Sequence, residues 1–234
     1  MKVFSSTSDS KPSSFSDYKI IGQNSGFLVV EAYKTIRTNL RFALPKTGCK
    51  KIIITSAMPQ EGKSCNAVNL AITLSLTNAR VLLIDCDMRK AALQKILKLD
   101  GNPGLSEVLA GMSRLNNAIR EKESPSYNVI CAGTIPPNPA ELLGSNAMAE
   151  IIESLESEFD YILMDTPPLN IVSDALALSR ISDGIILIVR EGKTTHTELK
   201  RAIGNLEFAG AKLIGLILSD VEKKNNKIYE EYKK

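Results

Sequence analysis

The chain has 234 residues, 44% apolar and 24% charged, with a net charge of +3; this suits one soluble α/β domain with a sizeable core and is too weakly basic to argue for nucleic acid. Cys49, Cys65, Cys86 and Cys131 lie far apart, with no Cys-x-x-Cys spacing and one histidine in the chain, which speaks against zinc and for reduced thiols in the cytoplasm. No apolar run approaches a membrane span and no apolar stretch marks a secretory signal, so a cytoplasmic protein without direct membrane insertion is expected.

Residues 1–25, rich in Ser, Asp and Lys, show no periodicity and read as a flexible arm; a short docking element at Tyr18, Ile20 and Ile21 is the alternative. A domain over 26–220 follows. From Val29 to Phe42 the pattern is helical: Val30, Tyr33, Ile36, Leu40 and Ala43 share one face. Glu31, Lys34 and Arg37 align along another, which by itself reads as a solvated row of charges. Pro45 and Gly48 end this helix.

Lys51–Thr55 is a β-branched run that reads as a buried strand. Ala57, Met58, Pro59, Gln60, Glu61, Gly62, Lys63 and Ser64 come next, then Cys65, and from Asn66 to Thr77 the apolar spacing is helical. Strand, tight loop, Gly-Lys-Ser and helix together make a phosphate-binding loop. Backbone N–H groups at the helix start wrap phosphates, and the helix dipole favours their charge. Lys63 adds a point charge near the β and γ phosphates, and the Ser64 hydroxyl a ligand for Mg²⁺. Ala57 stands where the pattern wants glycine, which a loop tolerates if no positive φ is required there.

Arg80–Lys90 holds an uninterrupted apolar run that fits a central parallel strand and ends in Asp85 and Asp87, then Arg89 and Lys90. In open parallel sheets ligands sit at the carboxyl ends of strands, where these aspartates fall. Residues 91–126 read as short helices and loops, with a helical start at Gly104–Leu109. Tyr127–Cys131 is a strand, Ile135–Leu143 a rigid turn into a helix with Pro139 at its start, and Met148–Leu155 a helix. Phe159–Pro168 is a strand with Asp165 at its carboxyl end, the Walker B arrangement whose carboxylate holds a metal shell. Asp174–Arg180 (helix), Gly184–Val189 (strand), Thr197–Phe208 (helix) and Lys212–Ser219 (strand) complete the rhythm. A charged tail, 221–234, carries Tyr229 and Tyr232. The alternation predicts a doubly wound, mostly parallel sheet flanked by helices, a P-loop NTPase fold.

On these motifs the sequence resembles the bacterial P-loop protein-tyrosine kinases of capsule and exopolysaccharide synthesis. The likeness runs from Glu31 to about Asp220: the Walker A loop at 57–64, the second aspartate-bearing strand at 81–90, Walker B at 161–168, the Glu31-x-x-Lys34-x-x-Arg37 helix, and Pro136-Pro137-Asn138-Pro139-x-Glu141-Leu142-Leu143. The resemblance implies an enzyme using ATP and Mg²⁺. Lys63 would hold the phosphates, with Ser64, Asp87 and Asp165 around the metal. Asp85 and Asp87 would organise the attacking hydroxyl, with Asp85 as general base. Glu31, Lys34 and Arg37 would reach a neighbouring subunit in a ring, and Tyr229 and Tyr232 would accept phosphate between subunits. A separate transmembrane chain-length adaptor would hold the kinase at the inner face of the cell membrane, and a cognate tyrosine phosphatase would oppose it. Cys65, Ala91, Ser219 and Lys34 depart from the family's usual Thr or Ser, Pro, Asn and Arg, and a two-tyrosine tail is short for it.

Two other readings fit the fold. A partitioning or division-site ATPase would carry a signature lysine where Met58 stands and often an amphipathic membrane helix, which this tail does not resemble. A weakly catalytic partner whose ring assembly is its function would not need Lys63, Ser64, Asp85, Asp87 and Asp165 all intact.

Overall fold

The structure is a computed structural model and describes residues 19–22, 25–44, 47–123 and 125–221. Tyr18, Pro45, Tyr229 and Tyr232 therefore lie outside the described residues. The chain forms a seven-stranded sheet of order β3-β4-β2-β5-β1-β6-β7. The strands are β1 (Lys50–Ser56), β2 (Val81–Asp85), β3 (Ile119–Glu123), β4 (Ser126–Ile130), β5 (Tyr161–Asp165), β6 (Gly184–Arg190) and β7 (Leu213–Ser219). All neighbours pair in parallel except β3, which runs antiparallel to β4. The doubly wound, mostly parallel fold expected from the sequence is what forms.

The central strands are apolar throughout because both faces are covered, and alternate residues serve opposite layers. Ile52, Ile54, Leu83, Leu163, Ile186 and Ile188 face one core. It is closed by α1 (Phe27–Ala43), α2 (Lys63–Ser75) and α3 (Leu93–Leu97), through Leu40, Val68, Leu70, Leu74, Leu93 and Ile96 among others. Ile53, Leu82, Ile84, Ile162, Met164, Ile185 and Leu187 face the other core. There the cover is α4 (Leu105–Leu109), α5 (Leu115–Ala118), α6 (Pro139–Leu143), α7 (Asn146–Leu155), α8 (Asp174–Ala177) and α9 (His196–Phe208).

Two expectations change. Ile119–Glu123 is an edge strand rather than helix or loop, paired residue by residue with β4 from Ile119↔Ile130 to Glu123↔Ser126. Its charged sequence suits an edge exposed to water and hides the strand from a search for apolar runs. Within the expected arm, Ile20 and Ile21 pack against the α2 core, and the Ile21 N–H donates to Asn69 Oδ1 at 2.7 Å. The docking alternative describes residues 19–22.

The register puts Asp85 of β2 beside Asp165 of β5, and Ile54 of β1 beside the same Asp165. After β5 the chain crosses over the end of β1: Thr166 N donates to Ile54 O and Leu169 N to Ser56 O. Three strand ends thus meet at the turn into α2.

Candidate active site

The loop from Ala57 to Gly62 is held by the side chain of Glu61 and by residues of β6, of the turn after it and of β7. Its positive-φ residues are Gln60 (63°) and Gly62 (87°); Ala57 is not one of them and is fully buried. The glycine of the standard pattern is therefore dispensable at Ala57. Glu61 is fully buried and braces the loop, accepting from Met58 N–H at 3.0 Å and from the Thr194 hydroxyl at 2.6 Å. The Gln60 carbonyl accepts from Arg190 Nη1 at 3.0 Å, and the Ser219 hydroxyl donates to the Glu61 carbonyl at 2.9 Å. Pro59 lies at the exposed tip. A cleft of about 720 Å³ opens beside this brace, lined by Lys19, Arg190, Lys193 and Asp220 among others.

Lys63 begins α2 and reaches back over the strand ends. Its Nζ lies 2.8 Å from Asp87 Oδ2, 3.9 Å from Asp165 Oδ1 and 3.3 Å from Ser64 Oγ. Burial lowers its proton affinity, but Asp165 and Asp87 more than offset this and hold its pKa above the usual lysine value. Cys65, next in α2, is half-buried, and burial pushes its thiol up to about 11, so it is not a reactive thiolate.

The three aspartates differ in what holds them. Asp85 Oδ1 accepts from Asp87 N–H (3.1 Å), and Oδ2 from Ala92 N–H (3.2 Å) and Leu93 N–H (3.0 Å). Asp87 accepts from Lys90 N–H at 2.9 Å besides its pair with Lys63. Asp165 is fully buried, and neither of its oxygens accepts a hydrogen bond; the Ser64 hydroxyl lies near enough to lower its pKa but outside hydrogen-bonding geometry. Burial raises both carboxyls, Asp85 further than Asp165, with the Asp165 charge adding to the shift of Asp85 and the Lys63 charge restraining that of Asp165.

A buried carboxylate without a donor fits a cation. Among the described residues no group of three or more His, Cys, Asp and Glu converges on a point. Two carboxylates and a hydroxyl, Asp87, Asp165 and Ser64, would be the donors this chain could offer a Mg²⁺ ion, whose shell needs further oxygens from phosphate and water. The Lys63 ammonium lies against both of these carboxylates.

The residues named for assembly lie on α1. Glu31 and Lys34 pair with each other at 2.6 Å on its exposed side, and Arg37 Nη1 donates to the Thr73 carbonyl of α2 at 3.0 Å. Sequence reading missed the bracing contacts of Glu61, Thr194 and Arg190, and the Arg89 fork on fully buried Asp174 at 2.9 and 3.1 Å. Only the Gly-Lys-Ser neighbourhood of Glu61 gave any signal.

A family described as an AAA domain matches residues 49–208. The chain is 37% identical over 202 residues to "Tyrosine-protein kinase YwqD" of Bacillus subtilis, covering 86% of this chain and 85% of that protein. The chain belongs to the bacterial tyrosine-protein kinases. It is likewise 37% identical over 201 residues to "Tyrosine-protein kinase ptk" of Acinetobacter johnsonii, but spans only 27% of that longer protein. Among solved structures, the chimerical protein CapA2B2 superposes with a TM-score of 0.83 at 34% identity, covering 90% of this chain and 92% of that one. Membership makes the kinase a phosphotransferase on a P-loop frame. No helix among its described residues is long and apolar enough to cross a membrane.

Proposed function

We propose that this kinase uses ATP and Mg²⁺ to phosphorylate tyrosines of its own C-terminal tail, Tyr229 and Tyr232, between subunits of a ring, and that this cycle regulates capsule or exopolysaccharide synthesis. The observation that carries the reading is the Lys63 ammonium between Asp87 and the donorless Asp165, at the mouth of a loop built to hold phosphate. Phosphoryl transfer asks mainly for positioning and charge stabilisation. The backbone N–H groups at the start of α2 bind the phosphates, and Lys63 leaves its carboxylates to follow the γ-phosphate charge. Mg²⁺ on Ser64, Asp87 and Asp165 would neutralise charge on the phosphate oxygens. Asp85 is the proposed proton acceptor: burial raises its proton affinity toward that of a tyrosine hydroxyl, and Oδ1 accepts only one amide, leaving a lone pair. The cleft lined by Arg190, Lys193 and Asp220 takes the nucleoside end.

Assembly is assigned to Glu31, Lys34 and Arg37 on α1. A transmembrane adaptor with a cytoplasmic tail would hold the ring at the inner membrane face, and the solved chimera CapA2B2 is a superposable precedent for a fused two-part protein. A cognate tyrosine phosphatase completes the cycle.

The test is intact-mass and tandem mass spectrometry after incubation with Mg-ATP, with and without the adaptor's cytoplasmic segment, beside Lys63→Met and Asp85→Ala. Phosphate on Tyr229 or Tyr232 that disappears in both variants supports the proposal. ATP hydrolysis without protein phosphate, adaptor segment present, points instead to a switch ATPase.

A further inference from the structure

Tyr33 sits on the buried side of α1, 9% exposed, against α2. Its hydroxyl donates to Asn66 Oδ1 at 2.7 Å and accepts from Asn69 Nδ2 at 3.1 Å. Asn66 Nδ2 in turn donates to the Gly62 carbonyl at 2.9 Å, beside the Asn66 backbone N–H at 2.9 Å. The same amide nitrogen packs on Gly62, 3.4 Å from where a Cβ would stand. Asn66 and Asn69 are 7% and 3% exposed, so water offers these groups little alternative. Burial pushes the Tyr33 hydroxyl up to about 12, which keeps it a donor.

The geometry bears on the phosphate loop through one peptide unit. The Gly62 carbonyl and the Lys63 N–H belong to the same planar trans group and point in opposite directions. Two donors that fix the carbonyl toward α2 therefore aim the Lys63 N–H outward, into the loop. Gly62 is in the left-handed region, φ 87°, where a glycine peptide is free to rotate unless held.

We infer that Tyr33 and Asn66 are positioning residues for nucleotide: Tyr33 orients the Asn66 amide, the amide fixes the Gly62 carbonyl, and the carbonyl sets the phosphate-binding N–H. The inference rests on the nucleotide reading of the loop, and it makes α1 part of the nucleotide site. The helix that carries Glu31 and Lys34 outside thus carries a hydrogen-bond chain to the phosphates inside.

The experiment is equilibrium binding of a fluorescent ATP analogue with Mg²⁺ to the full chain. Tyr33→Phe and Asn66→Ala each weaken binding about three- to tenfold, the size of one lost hydrogen bond. Because the two act in series, the double variant is no weaker than the worse single one. Leu40→Ala loosens α1 from the same core through an apolar contact, and lowers the thermal midpoint without changing affinity. Unchanged affinity in Tyr33→Phe, fully additive losses, or an equal loss in Leu40→Ala overturns the inference. Normal analogue binding without tyrosine phosphate would sink the kinase proposal and leave this one standing; no binding by the parent chain would sink both.

Discussion

Asp85 and Asp165 end adjacent strands in register, β2 and β5, and both are fully buried. The fold treats them oppositely. Asp85 accepts three backbone N–H groups and anchors the entry to α3, whereas Asp165 accepts none and has the Lys63 ammonium 3.9 Å away and the Ser64 hydroxyl nearby. A buried acceptor without a donor costs about 1–3 kcal/mol, more when charged. Proteins retain such groups chiefly where a ligand completes them. The difference separates a carboxylate held on three sides by backbone from one whose oxygens are left without donors.

The sharpest way to break this comparison is Asp165→Asn. Phosphoryl transfer should fall by at least about two orders of magnitude, the scale of losing a transition-state charge contact, while the thermal midpoint of the nucleotide-free protein holds or rises. A fall in both would mean that Asp165 is as structural as Asp85. Asp85→Ala comes next. It strands three amides, so chemical denaturation should show a loss of about 2–4 kcal/mol, along with lost activity. A full-stability Asp85→Ala would remove the contrast.

A pH series tests the pair together. Both folded-state pKa values are raised, Asp85 to about 8 and Asp165 to about 6, with burial the first cause. Between the unfolded value near 4 and these values the folded state binds more protons, so the stability of the nucleotide-free protein falls as pH rises from about 4 to about 8. Asp165→Asn should flatten that slope, both by removing one carboxyl and by relieving the charge that raises the other, measured by urea unfolding at several pH values. A slope of the opposite sign would show that the paired cation, not burial, governs these groups.

How far the sequence reveals this site follows from the range of each interaction. Strand ends are legible because Asp85 and Asp165 each close an apolar run, and the phosphate loop because Gly-Lys-Ser opens a helix. β3 is not, since Ile119–Glu123 lies at an edge, where pairing with β4 stabilises it and its charged side chains meet solvent. Glu61 is named in the loop, but its hydroxyl donor, Thr194, is 133 residues away, and no local pattern connects them. Ile20 and Ile21 are two apolar residues in a polar stretch, enough to suggest docking but not its surface, which α2 supplies.

Glu107 offers the smallest and cleanest contrast, a satisfied carboxylate of the opposite sign. It accepts from Gly104 N–H at 2.8 Å and Thr134 N–H at 3.0 Å, and from the Thr134 hydroxyl, tying the start of α4 to the loop after β4. Burial tends to raise its pKa, but these donors outweigh it and hold the group down at about 2. The folded state then binds fewer protons than the unfolded one, so the stabilisation is complete above about 4.5 and fades as pH falls toward about 2. The side chain is partly exposed, and screening keeps the effect to about 1 kcal/mol or less. Glu107→Gln should lose that much at pH 7 and nothing at pH 2 relative to the parent chain, while leaving nucleotide affinity unchanged. A loss that persists at low pH would mean that the contact works by shape: Gly104 and Gly133 are so close that a Cβ on Gly104 would stand 2.3 Å from Gly133 N, and side-chain volume here would then count for more than charge.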